Sequence, residues 1–189
     1  MKRATLIGSL LLALMPSLSF AEMRYSGFEV SFVDVELDSS FVNVDGDGLE
    51  IAGSYAMNDR LFLLGEWQDQ SLDFGIDGTA LEFGAGINHA LGPDLDFVGT
   101  LSYVDIEVEL AGFTADDDGL ALGGGIRSRV GTSFEIDAGL RYVDFDESGS
   151  DTGVAVSGRY YFTDKFAVSF GTDLNDNADT LRVGFRAEF

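Results

Sequence analysis

The chain has 189 residues, with 33 Asp and Glu against 11 Lys and Arg, a formal net charge of −22, no cysteine, and 24 glycines against 2 prolines. So acidic a chain is a poor partner for nucleic acid, and no disulfide can hold it. After residue 21 there is no apolar run long enough for a membrane helix.

At the front, Lys2 and Arg3 precede the apolar run "LIGSLLLALMPSLSF", which ends on Ser19-x-Ala21. A basic start, a short apolar stretch and small residues at that spacing predict a signal peptide over 1–21, cleaved after Ala21. The alternative, a membrane anchor, needs a longer run. Residues 22–189 are then expected to form one domain.

From there the sequence alternates. Ten segments of period two follow one another at about 25–35, 49–57, 61–69, 79–89, 95–105, 119–130, 134–144, 153–162, 165–173 and 180–189. None has helical spacing of apolar residues and none contains proline, so each is a predicted strand. Four connections are tight: "MNDR" (57–60), "LGPD" (91–94), "VGTS" (130–133) and "FTDK" (162–165). The other five are expected to be longer, the longest near 106–118. Short turns at one end and longer loops at the other describe an all-β, closed antiparallel transmembrane barrel of ten strands, with eight as the alternative count. The short turns and both termini then lie on the periplasmic side.

One face of every segment is apolar, from Phe28, Val30 and Phe32 to Leu181, Val183, Phe185 and Phe189, with no Asp, Glu, Lys or Arg. Aromatic residues gather at segment ends, as in interfacial girdles. A soluble β-sandwich also buries one face, so the opposite face decides. It carries Glu29, Glu50, Glu66, Glu82 and Asp96 on the first five strands, and Arg127, Arg129, Glu135, Asp137, Arg141, Arg159, Arg182, Arg186 and Glu188 on the last five. A solvated face would use lysine, and there is none here. Charges withdrawn from bulk water need partners, and the arginine fork suits carboxylates. This face is therefore expected to line a lumen crossed by Glu/Asp–Arg bridges, with Gly84, Gly86, Gly123, Gly125 and Gly139 leaving room. If the charges pair across the axis the lumen is plugged; if they line separate walls it is a narrow channel for ions or small solutes.

The five outer stretches hold 20 acids and no Lys or Arg. "NVDGDG" (43–48) and "DLNDNAD" (173–179) place oxygen ligands at alternate positions, which makes Asp45, Asp47, Asp173 and Asp176 weak divalent-cation candidates. Neither stretch has the closing Glu of a calcium loop. Catalysis finds no support, because the one histidine, His89, falls at a periplasmic turn on the lipid-side register. Surface proteases with ten strands are similar in strand number only.

"GSYAMNDRLFLLGEWQDQ" (53–70), "LEFGAGINHALGPDLDFVGTLSY" (81–103), "LALGGGIRSRV" (120–130), "FEIDAGLRYVDF" (134–145) and "LRVGFRAEF" (181–189) resemble the small diffusible-signal-regulated outer-membrane β-barrels of Gram-negative bacteria, the porin-like barrel domains. The resemblance implies a non-enzymatic barrel in the cell outer membrane, without cofactor. Lipid and lipopolysaccharide would surround it as a monomer; the one-signed charge of the outer stretches, not the resemblance, is what calls for divalent cations at the loops. A terminal phenylalanine on an alternating strand resembles the signal read by the barrel-assembly machinery, which assigns that role to Phe185 and Phe189. The expected function is structural or surface-interacting, with the narrow channel as the alternative.

Overall fold

The computed structural model describes residues 23–37, 44–176 and 178–189, so the expected signal segment 1–21 lies outside the described residues. Ten strands follow in order: β1 (Gly27–Leu37), β2 (Val44–Ala56), β3 (Leu61–Leu72), β4 (Ile76–Gly92), β5 (Leu95–Leu110), β6 (Phe113–Val130), β7 (Phe134–Phe145), β8 (Gly149–Tyr161), β9 (Phe166–Asn175) and β10 (Ala178–Glu188). Each pairs antiparallel with its neighbours in sequence, and β10 returns to β1 to close the barrel. Closure leaves no unpaired edge through the wall.

Turn chemistry sets the narrow end. Between β2 and β3 the Asn58 carboxamide oxygen accepts the Arg60 and Leu61 amides at 2.9 and 3.0 Å. Between β8 and β9 the Thr163 hydroxyl accepts those of Lys165 and Phe166 at 3.3 and 3.0 Å. Asn and Thr earn their place in such turns by offering an oxygen to amides the ladder leaves over.

At the other end the expected long loops are mostly strand. Residues 106–118 are not a loop: β5 and β6 stay paired up to Leu110 and Phe113, and the turn is only Ala111 and Gly112, with φ of 52° and 83°. Two successive positive φ values match the twist of a tight hairpin. Glu107, Glu109, Asp116 and Asp118 occupy the outward face of a ribbon that has left the membrane, where they remain hydrated, while Asp117 faces inward and is buried.

Outward-facing positions form a continuous apolar band. On β1 it comprises Phe28, Val30 and Phe32; on β7, Phe134, Ile136, Ala138, Leu140 and Tyr142; on β10, Leu181, Val183 and Phe185. Their large side chains are mostly exposed, the reverse of a soluble protein. Nine residues of tilted strand rise about 23 Å, the height of a bilayer's apolar core. Above the band the same face turns acidic, and the register sets like charges opposite each other: Asp34 with Asp47, Glu36 with Asp45 and Asp179, Asp77 with Glu109, Asp105 with Asp118, and Glu107 with Asp116.

Candidate functional site

The inward register collects every member of the expected charge network, because period two carries one strand face to one side of the wall. Near the periplasmic end, Glu135 is 0 % exposed. It sits in register between Arg129 on β6 and Arg159 on β8. One of its oxygens takes Arg127 Nη2 at 2.6 Å and Arg159 Nη1 at 2.8 Å; the other lies 3.5 Å from Arg129 Nη2. Arg159 also reaches Asp137 at 2.5 Å and Glu29 at 3.7 Å. Glu188 on β10 accepts from Arg186 Nε at 3.2 Å and lies 3.8 Å from Arg127. Arg186 Nη1 lies 3.6 Å from Glu29. Since β6 and β10 stand almost opposite each other in the barrel, the Arg127–Glu188 approach spans the lumen.

Aromatic side chains complete this layer. Tyr25, two residues before β1, turns into the periplasmic mouth. Its hydroxyl donates to Asp96 at 2.6 Å, its ring stacks on Phe62 at 5.1 Å, and the Arg127 guanidinium lies 4.7 Å from the ring centroid. Tyr161 donates to Glu188 at 2.6 Å, under the Arg129 guanidinium at 5.4 Å. A cavity of about 480 Å³ remains at the mouth, bordered by Tyr25, Asp96, Asn58, Asn88 and Phe189.

Pairing is sparser midway up. Arg182 binds Glu50 at 2.5 Å and also Asp173. Arg141 on β7 crosses to Glu82 on β4 at 2.6 Å, where the Ser102 hydroxyl also donates at 2.5 Å. Glu66 lies opposite Glu82 in the β3–β4 register and has no ion-pair partner within 4 Å among the described residues. The arginines divide by the partners they take. Arg127, Arg129 and Arg159 draw mainly on Glu135 and Asp137 beside them, while Arg141, Arg182 and Arg186 reach to the first four strands. Above the charges, on the β5–β6–β7 side of the lumen, lies an apolar cluster of Val104, Ala121 and Val143, with Ile106 and Phe145 packed against them.

The cation candidates separate. Asp45 and Asp47 point outward from β2. Asp173 points inward and is occupied by Arg182, which removes it from a cation loop. Asp176 is exposed, and its amide donates to Asp151 at 3.2 Å. Asn43 lies outside the described residues. No group of three or more His, Asp or Glu side chains able to hold a metal occurs among the described residues.

His89 is exposed on the outward face of β4, opposite Phe97. Phe185 stacks on Phe166 at 5.7 Å and meets Phe162 at a tilt at 6.0 Å, and the Phe189 amide donates to the Ser26 carbonyl at 3.3 Å. Sequence reasoning missed Tyr25, Phe62, Tyr161 and Ser102 as lumen residues. The signal was present: each shares parity with a charged lumen position on or beside its own strand.

A closed antiparallel barrel, apolar outside and charged within, defines the class: an outer-membrane-type transmembrane β-barrel. No family model matches the chain, and no curated protein matches its sequence. Solved structures similar to it include the N-terminal β-barrel domain of Pseudomonas aeruginosa OprF, at 13 % identity and a TM-score of 0.48 over 86 % of this chain and 98 % of that one. The attachment invasion locus protein Ail of Yersinia pestis has 16 % identity and a TM-score of 0.43, covering 88 % and 100 %. The translocator domain of autotransporter NalP from Neisseria meningitidis has 12 % identity and a TM-score of 0.48, covering 89 % and 90 %. Identities this low attach no activity to this chain.

Proposed function

We propose that the protein is a non-conducting, non-enzymatic barrel of the Gram-negative outer membrane, built to hold its acidic outer end at the cell surface. The observation that carries this reading is Glu135, fully buried and held by Arg127 and Arg159 in a layer that reaches across the lumen. A channel lining keeps its charges wetted; here they are spent on one another. Under this reading the chain is a member of the small diffusible-signal-regulated barrel family, 1–21 is a cleaved signal, and the barrel is a monomer surrounded by lipid and lipopolysaccharide. Phe185 and Phe189 present an aromatic end to the assembly machinery, and divalent cations gather diffusely at the outer acids.

The second reading, a narrow channel, is favoured by the middle of the lumen, where Arg141 keeps a 39 % exposed side chain and Glu66 has no ion-pair partner among the described residues. Planar-bilayer recording of the refolded protein separates the two. Silence from a barrel with the heat-modifiable gel mobility of a folded one supports the plug. Reproducible conductance steps assign the charges to a selectivity lining instead.

A further inference from the structure

The outer rim is uneven. The β6–β7 ladder stops at Gly119 and Phe145, while β5 and β6 continue to Leu110 and Phe113, with β4 beside β5 as far as Ile76. The inward face of this overhang carries Ile76, Val108, Leu110, Phe113 and Ala115, and Phe113 is 81 % exposed, Leu110 46 %. It continues downward into the apolar layer of Ile106 and Val104. An apolar wall standing in water calls for a cover.

Lipid does not supply that cover, because the wall faces over the mouth and the acidic face of the same ribbon looks toward the membrane. A second copy is disfavoured, since it would press together two crowns rich in acids and without a base. Beside the overhang, the lower β7–β8 and β9–β10 turns carry Asp146, Glu147, Asp151 and Asp176, and the Glu147 and Ser148 amides donate to Asp117 at the foot of the overhang itself. The shelf between the overhang and the lower turns thus has an apolar upper part and an anionic lower part, and forms an open cleft.

We propose that this cleft docks a cationic amphipathic polypeptide segment, its apolar side on Val108, Leu110 and Phe113 and its Lys or Arg side chains toward the lower turns. The proposal rests on the surface-interaction reading and names the partner's chemistry.

The test uses the full barrel in phosphatidylcholine nanodiscs and a fluorescent synthetic Lys/Leu amphipathic peptide. Two control peptides carry Ser for Leu, or Glu for Lys. Saturable binding of the Lys/Leu peptide is expected, with both controls weaker by roughly tenfold or more. The double variant Leu110→Ser/Phe113→Ser should lose a similar factor while keeping the folded gel mobility. A second variant, Glu147→Gln/Asp151→Asn/Asp176→Asn, should weaken binding and flatten its salt dependence. Equal binding by the Ser-substituted peptide, or by the Leu110/Phe113 variant, would reduce the interaction to charge alone and overturn the proposal. Absence of binding overturns it too, while leaving the plug reading to the conductance record.

Discussion

Arg127 and Glu135 meet at 2.6 Å inside the barrel wall, both buried, on adjacent strands two rungs out of register. Both are shielded from bulk solvent, so each charge depends on the other for its partner. Removing the acid leaves Arg127 with carboxylates no nearer than 3.8 Å, while Arg159 keeps Asp137 at 2.5 Å.

Glu135→Ala should therefore destabilise the barrel by about 3–5 kcal/mol, the usual cost of an uncompensated buried charge. Replacing Glu135 and Arg127 together by Leu should cost less than the sum of the single changes. Urea midpoints of the heat-modifiable band in detergent measure both.

Arg182 holds Glu50 and Asp173 at once. Its Ala variant leaves two inward carboxylates without a cation and should lose on the order of a few kcal/mol. Arg182→Lys should recover only part of this, because a single ammonium does not reproduce the fork. Arg186→Ala should cost less than this, because Glu29 keeps Arg159 at 3.7 Å and Glu188 keeps Arg127 at 3.8 Å. Unfolding midpoints matching the parent's in both Ala variants would show that the pairs do not support the wall.

Tyr25→Phe removes one hydroxyl and leaves Asp96 without its 2.6 Å donor, a loss of about 1–3 kcal/mol. Tyr25→Ala also removes the ring between Phe62 and Arg127 and should cost more. Gly86→Ala should reproduce part of that damage, because a Cβ there would meet the Phe62 ring. Chemical shifts of the Phe62 and Arg127 amides should move in all three variants.

Asp117 lies on the outer part of β6, where its carboxylate accepts the Glu147 and Ser148 amides at 3.1 and 2.8 Å. Hydrogen bonds from the Ser148 side chain first, then from backbone amides, hold its carboxyl below the ordinary value. A depressed carboxyl stabilises the fold above the unfolded value and loses that contribution as pH falls through the folded one. Acidification below the ordinary carboxylate range should thus free the 146–148 turn before the wall. Faster exchange of the Ser148 amide at low pH would show it, and Asp117→Asn should flatten the pH dependence.

Strand number, closure and the two faces were legible because alternation is a local property that survives in every segment from Phe28 to Phe185. The inward side of the charges was legible because only arginine, never lysine, accompanied the acids. Strand length was not. Glu107, Glu109 and Asp116 read as loop because acidity suggests solvent, yet a ribbon above the membrane is both solvated and paired. Partner choice was not legible either: Glu135 between two arginines depends on the β6–β7–β8 register, which no single strand encodes. Asp173 looked like a cation ligand from its neighbours in sequence and found Arg182 across the ladder instead.

The same-sign pairs on the outer rim have a physical cost that ordinary saline does not remove. Side chains directly opposite on adjacent strands stand about 5 Å apart, inside the screening length of about 8 Å at physiological ionic strength and beyond the length of about 3 Å at 1 M. Asp34 against Asp47 and Glu107 against Asp116 therefore repel each other at ordinary ionic strength and are screened only in strong brine. The outer rim is the part of the barrel exposed to the ions around it, while the arginine layer below is shielded from them by burial.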